Sequence, residues 1–277
     1  MGAITGRDKN RNGCAVIPEK GLMQLPDSPR FHVVKNCAGR SLYVYLPAAA
    51  VQNPRKKFPV IYCQDGQNIW DDPHCCFGHG GWYLNRIVDE LVADGKIEPV
   101  ILVGIPHSDE RHRDYTPRRS FADCRDQAHA NFVCEVVKPY IEKNFPAKKR
   151  RGDVALLGSS LGGLMALWLA HQRPELFGKA ICLSGAFQVR DRCRQAFVDY
   201  LAGVTHQNLR IYLDSGTVGD GVVLTRKVAA QYRRRGWREG ADLMYLEAKG
   251  HEHNERFWRD RVWRALVFLF GPATANR

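Results

Sequence analysis

The chain has 277 residues, 44% of them hydrophobic and 25% charged, and a formal net charge of +12. This is the composition of an ordinary globular protein with ample apolar material for a core, which excludes collagen-like, disordered and low-complexity classes. No apolar run approaches the roughly 20 residues that a bilayer-spanning helix needs.

Residues 1–30 carry Gly, Pro, Asn and charge without periodicity and read as an extended leader. The stretch MGAITGRDKNRNG has no apolar segment of the kind a secretory signal requires. Met1-Gly2 is followed at position 6 by Gly6, where a myristoylation signal wants Ser or Thr, so the expectation is a cytoplasmic chain. The nine cysteines, Cys14, Cys37, Cys63, Cys75, Cys76, Cys124, Cys134, Cys182 and Cys193, are odd in number and form no C-x-x-C. Several lie in apolar runs such as VIYC and AICL, the usage of a reducing compartment in which Cys packs as a small hydrophobe. Cys75-Cys76 with His74 and His79 fits no standard zinc spacing, so no metal and no other cofactor is expected. The basic clusters Lys148-Lys149-Arg150-Arg151 and Arg233-Arg234-Arg235 could attract anions, but no nucleic-acid motif accompanies them, and they read as solvated surface.

After the leader come two β-like runs, FHVVKNC and SLYVYLP, whose short Gly-containing gap makes them a hairpin. Beyond Pro54, short apolar strands alternate with helix-length segments. The expected strands are Pro59–Cys63, Val100–Ile105, Asp153–Leu157, Lys179–Ser184, Leu209–Asp214 and Asp242–Glu247. The expected helices are Tyr83–Ala93, His129–Asn144, Leu161–His171, Gln195–Leu201, Leu224–Arg235 and Arg256–Phe270, with apolar positions at helical spacing such as Ile87 and Leu91. Strands of nearly unbroken Val, Ile and Leu imply burial on both faces, hence a mostly parallel sheet. The fold class expected is α/β, a three-layer α/β/α sandwich with a leading antiparallel hairpin, forming one domain over residues 31–277.

Chemistry concentrates at Gly158-Ser159-Ser160-Leu161-Gly162, which joins a buried strand directly to a helix. A serine on so sharp a turn projects above the sheet, and flanking glycines are needed because side chains there would collide. Ser160 is therefore the expected nucleophile. A serine hydroxyl needs a base to take its proton. Of the downstream histidines, His171 and His206 read as surface residues, whereas His251 and His253 follow the last strand, where a base belongs. The acid should follow Leu209–Asp214. Asp220, in the loop, is favoured because a loop lets its carboxylate turn, and Asp214, at the strand end, is the alternative that would tie down backbone. Stabilising an oxyanion needs backbone N–H groups: Leu161 for one, and for the other Gln67, with Asn68 second, from the loop after Pro59–Cys63. Asp65 and Trp70 in that loop are candidate substrate-wall residues, with packing as the alternative.

Several segments together are similar to a known family: YCQDGQNIWDD, WYLNRIVDEL, VILVGIPHSDERHRDYTP, LLGSSLGGLMALWLA with RPELFG, IYLDSG, and HNERFWRDRVWRALVFLF. From about Phe31 to Gly271 the chain resembles the putative-esterase branch of the α/β hydrolases, which groups siderophore esterases, feruloyl esterases and S-formylglutathione hydrolases. The resemblance implies the α/β-hydrolase fold. It also implies a catalytic histidine five residues ahead of Trp258, which is His253, and supports Asp220 as the acid. Arg113 and Tyr115 match a family stretch near the substrate mouth. The loop Gln64-Asp65-Gly66-Gln67 is closer to siderophore-esterase-like members than to the thioesterases.

The function expected is hydrolysis of a small-molecule carboxylic ester, an anionic one being compatible with the basic chain, through an acyl-enzyme on Ser160. Acyl transfer to an alcohol through the same intermediate, and a non-catalytic binding protein on the same scaffold, are the alternatives.

Overall fold

The computed structural model describes residues 27–71, 75, 77–116, 128–190 and 196–272. Most of the expected leader, together with His74 and Cys76, therefore lies outside the described residues. In chain order the elements are β1 (Phe31–Cys37), β2 (Arg40–Tyr45), α1 (Ala48–Gln52), β3 (Val60–Gln64), α2 (Leu84–Ala93), β4 (Ile101–Ile105), α3 (Arg111–Tyr115), α4 (Ala128–Asn131), α5 (Lys138–Asn144), β5 (Val154–Ser159), α6 (Ser160–Gln172), β6 (Lys179–Leu183), α7 (Phe197–Ala202), β7 (Arg210–Gly216), α8 (Val222–Arg234), β8 (Leu243–Ala248) and α9 (Glu255–Phe270).

The strands form one sheet in the order β1-β2-β4-β3-β5-β6-β7-β8. β1 pairs antiparallel with β2 and β2 with β4, and every later pairing is parallel. This is the α/β-hydrolase-like arrangement. Successive strand residues point to opposite faces. Val60, Tyr62, Leu156, Cys182 and Leu213 pack with α6 and α8 on one side, and Ile61, Cys63, Leu157, Ile181 and Tyr212 with α2 and α9 on the other. The chain order reverses between β3 and β5, whose neighbours β4 and β6 lie on opposite sides. A crevice opens at the carboxyl ends of strands at such a switch point, and this is where α/β sheets hold their ligands.

Two helices depart from a simple amphipathic pattern. α6 is buried from Leu161 to His171 on every side, so His171 is a core residue and not the surface one its position suggested. Its Nε2 meets the Tyr232 hydroxyl at 2.8 Å, its Nδ1 meets Gln207 Oε1 at 3.1 Å, and burial lowers its pKa to about 4. The expected continuous helix His129–Asn144 instead opens into a π turn at Phe132–Val137, between α4 and α5. Pro139, in the next turn, has no N–H to give to the carbonyl four residues back, and widening the turn relieves that vacancy. The N–H of Lys138 accordingly reaches back five residues to the Val133 carbonyl.

Cys37, Cys63, Cys75, Cys134 and Cys182 are buried. No helix among the described residues is long and apolar enough to cross a membrane.

Candidate active site

β5 ends at Ser159 and α6 begins at Ser160, with no residue between them. The turn holds Ser160 at φ 54°, a left-handed conformation that costs a non-glycine residue roughly 1–2 kcal/mol. A Cβ on Gly158 would lie 2.3 Å from the carbonyl carbon of Gly162, so only glycine lets strand and helix meet this closely. The third glycine, Gly163, answers a different contact: a Cβ there would sit 2.9 Å from Cys182 Sγ on β6. The Ala186 N–H donates to the Ser160 carbonyl at 3.0 Å and ties the turn to the end of β6.

His253 lies in the loop between β8 and α9 and brings its Nε2 to 2.9 Å from Ser160 Oγ. Its Nδ1 makes a short contact with Asp220 Oδ1. A carboxylate at Nδ1 requires the proton there, which leaves the Nε2 lone pair facing the serine hydroxyl. Backbone contacts bring the two loops together. The Val218 N–H donates to the His251 carbonyl at 3.1 Å, and that carbonyl lies so near Gly216 that a Cβ would come within 2.1 Å. The second histidine, His251, therefore contributes its backbone, and its ring packs on Phe257. The ring of His253 stands edge-on to Trp258, centroids 5.0 Å apart.

The two candidate carboxylates part company here. Asp220 is buried, and burial alone would favour its neutral form. Hydrogen bonds from His253, Ser184 Oγ and the Gly216 N–H outweigh that and hold its carboxyl below the usual range. Asp214 is held by other partners. It accepts from Arg261 Nε at 2.9 Å, from the Tyr212 hydroxyl at 3.0 Å and from the Ser184 N–H at 3.2 Å, and burial keeps its pKa above the ordinary value.

On the other side of the serine lies the loop after β3. The N–H of Leu161 is in the first turn of α6, among the donors that a helix leaves without intrahelical partners. In the facing loop, the Gly66 N–H donates to the Ile105 carbonyl and the Asn68 N–H to the Asp65 carbonyl, so Asn68, the second choice of donor, is already committed. The Gln67 side chain folds onto His107, with Nε2 2.6 Å from His107 Nδ1 and Oε1 accepting the His107 N–H at 3.3 Å. This braces the Gln67 backbone opposite the serine turn.

The expected substrate-wall residues are both buried. Asp65 is 5% exposed and gripped by Arg111, and Trp70, 2% exposed, stacks edge-on with Phe31 and lies against Gly104. Tyr115 is fully buried and accepts the Asp65 N–H at 3.0 Å, so it supports the loop from behind. Arg113 is largely exposed and lies 3.8 Å from Glu110 across one helical turn. Asp65, Trp70 and Tyr115 are thus buried among protein partners, and Arg113 alone of the four is exposed.

Sequence reasoning missed Ser184, Arg261, Arg111 and His107. For Arg261 a signal existed: it shares one helical stripe with Trp258, Val262 and Ala265, and a cation on an otherwise apolar stripe needs a buried partner. Among the described residues no group of three or more His, Cys, Asp or Glu is arranged to hold a metal ion.

The sequence model of the family described as Putative esterase matches residues 38–269. The chain belongs to this family. Its fold is the α/β-hydrolase-like one described above. Among curated proteins, the uncharacterized protein YjcH of Bacillus subtilis is 31% identical over 52% of this chain and 55% of its own length. YbbA of the same organism is 21% identical over 84% of this chain and 93% of its own. An endo-1,4-beta-xylanase/feruloyl esterase of Xylanibacter ruminicola is 30% identical over 51% of this chain and 19% of its own length. The chain thus spans about half of YjcH and a fifth of the xylanase/feruloyl esterase. Among solved structures, the enterobactin esterase FES of Shigella flexneri superposes with TM-score 0.65 at 19% identity, over 89% of this chain and 60% of that one. The BES protein of Bacillus cereus gives 0.64 at 20% identity, over 91% and 98%. At these identities the superpositions speak for the fold.

Proposed function

We propose that this chain is a carboxylic ester hydrolase that works through an acyl-enzyme on Ser160, with His253 as general base and Asp220 as the acid that orients it. The observation that carries this reading is the continuous line of contacts from Ser160 Oγ to His253 Nε2, 2.9 Å, and from His253 Nδ1 to Asp220 Oδ1. Ser160 Oγ attacks the ester carbonyl as its proton passes to His253 Nε2. The imidazolium then gives that proton to the leaving alcohol, and a water, deprotonated by the same nitrogen, releases the acid. The negative oxygen of each tetrahedral intermediate is received by the N–H groups of Leu161 and Gln67, at the positive end of α6. Asp220 stays ionised throughout and stabilises the imidazolium.

For substrate, the names of the xylanase/feruloyl esterase and of the enterobactin esterase point to esters of aromatic acids, and an anionic one suits a chain of net charge +12. Initial rates on p-nitrophenyl acetate and butyrate, then on feruloyl and catecholate esters, test activity and acyl preference together. Ser160→Ala is expected to abolish both turnover and labelling by a fluorophosphonate while keeping the wild-type circular dichroism. An undiminished rate in that variant refutes the acyl-enzyme.

A further inference from the structure

Behind Asp220 lies a buried polar cluster that the three-residue mechanism leaves unused. Arg261, on α9, is completely buried. Its Nε donates to Asp214 Oδ2 at 2.9 Å, and its Nη2 lies 3.3 Å from Asp220 Oδ2 and also donates to Ser184 Oγ. Ser184, just past β6, is held at φ 48° and is 1% exposed. Its hydroxyl accepts Trp258 Nε1 at 2.9 Å as well as Arg261, which occupies both lone pairs. The one hydrogen left must go to Asp220 Oδ2, 2.6 Å away. Ser184, Arg261 and the Gly216 N–H thus converge on a single oxygen of Asp220, and the other oxygen meets His253.

We propose that Ser184 and Arg261 are positioning residues of the hydrolytic site. They clamp Oδ2 of Asp220 so that Oδ1 is presented to His253, and Asp214 serves as the counterion that holds the guanidinium in place. The proposal rests on the Ser160–His253–Asp220 reading and deepens it. Asp214 supplies the counter-charge that a buried guanidinium needs, and Nη1 stays without a hydrogen-bond partner among the described residues. What a purely structural role leaves unexplained is that Arg261, Ser184 and the Gly216 N–H all meet the one oxygen of Asp220 that does not face His253. Two carboxylates against one guanidinium leave a single negative charge at rest. Protonation of His253 by Ser160 cancels it, so the cluster is matched to the charge that appears in the reaction. Among the described residues, Cys182 from β6 feels both carboxylates, and Tyr212 from β7 donates to Asp214 and lies within reach of the Arg264 charge; Glu255 from α9 acts on His253.

The test compares wild type with Ser184→Ala, Arg261→Lys and Arg261→Met for kcat, KM and the pH dependence of kcat/KM on p-nitrophenyl acetate, alongside Tm. Ser184→Ala is expected to lower kcat by about 10- to 100-fold at unchanged KM, as a misoriented base would. Its acid limb moves to higher pH, because an unclamped carboxylate concentrates charge on the oxygen facing the imidazolium. Arg261→Met moves the limb the same way, whereas Arg261→Lys, which keeps the charge and loses the fork, restores the limb with kcat still reduced. Should Arg261→Met fail to fold, Ser184→Ala and Arg261→Lys decide alone. Wild-type kcat and limb in Ser184→Ala and Arg261→Lys overturn the proposal, even if Tm falls, since that is the signature of a structural role. A wild-type protein that neither hydrolyses the ester nor is labelled by a fluorophosphonate overturns the underlying triad reading, a result separable from the first.

Discussion

Arg111 closes a two-pronged ion pair on Asp65, Nε to Oδ1 at 2.7 Å and Nη2 to Oδ2 at 2.8 Å, and so fastens α3 to the loop that follows β3. Asp65 sits at φ 53°, in left-handed backbone, and its N–H is held by the Tyr115 hydroxyl from the same helix. Burial opposes ionisation of Asp65, but Arg111 and His107 together keep its carboxyl below the usual range. The loop that faces Ser160 is therefore shaped by charges beneath it.

Removing the guanidinium should expose that dependence. Arg111→Met leaves a buried carboxylate without its main partner and is expected to cost about 3–5 kcal/mol in urea unfolding. With the loop loosened, kcat on p-nitrophenyl acetate should fall. A variant with both wild-type stability and wild-type kcat would show that the pair does not shape the loop.

Asp220→Asn and Asp214→Asn should separate two carboxylates that lie six positions apart. The first withdraws the charge from His253 and should reduce kcat by about three to four orders of magnitude with little loss of stability. The second leaves Arg261 with one carboxylate fewer and should destabilise by about 2–4 kcal/mol while kcat changes less than about tenfold. Steady-state kinetics and urea midpoints on the same preparations decide, and an inverted pattern would reassign the acid.

Ser160 offers a test of backbone strain. At an ordinary helical position Ala is more stabilising than Gly by about 1 kcal/mol. At φ 54° the order should reverse, because Gly adopts left-handed backbone freely and Ala does not. Thermal unfolding of Ser160→Gly and Ser160→Ala should put the glycine variant at the higher Tm. The opposite order would mean that the turn relaxes once the hydroxyl is gone.

Two buried histidines predict acid sensitivity. Both His129 and His171 are lowered from 6.5 to about 4, His171 by burial and His129 by burial together with the neighbouring Arg40. Between those values the unfolded chain binds protons that the folded chain refuses, so stability is full above about pH 6.5 and declines as pH falls towards 4. Each should contribute a loss of about 1–2 kcal/mol between pH 7 and pH 5, a window above the carboxylate range. Urea midpoints at the two pH values should show the decline, and His171→Gln should reduce it. An equal decline in that variant would remove His171 as a cause.

Local pattern was enough to read the sheet. Val60–Gln64, Val154–Ser159, Lys179–Leu183 and Arg210–Gly216 fall within two residues of their expected bounds, because a strand buried on both faces shows itself as an unbroken apolar run between turn signals. The strand-to-helix junction at Ser160 was legible for a similar reason: Gly158, Gly162 and Gly163 answer steric demands imposed within a few residues and by the strand next door. The π turn before Pro139 was hidden, since helical periodicity barely changes when one turn widens.

What each polar side chain meets was decided by tertiary structure. Asp214 and Asp220 are chemically alike in sequence; they differ because Arg261, from the last helix, takes the first, while the β8–α9 loop carries His253 to the second. Asp65, Trp70 and Tyr115 looked available to a substrate until Arg111, Phe31 and His129 arrived to fill their surroundings. Apolar patterning is short-ranged, because strand and helix periods are properties of the backbone. Partnership of buried charges is long-ranged, because in a medium of low dielectric each must find its counter-charge wherever the fold delivers it.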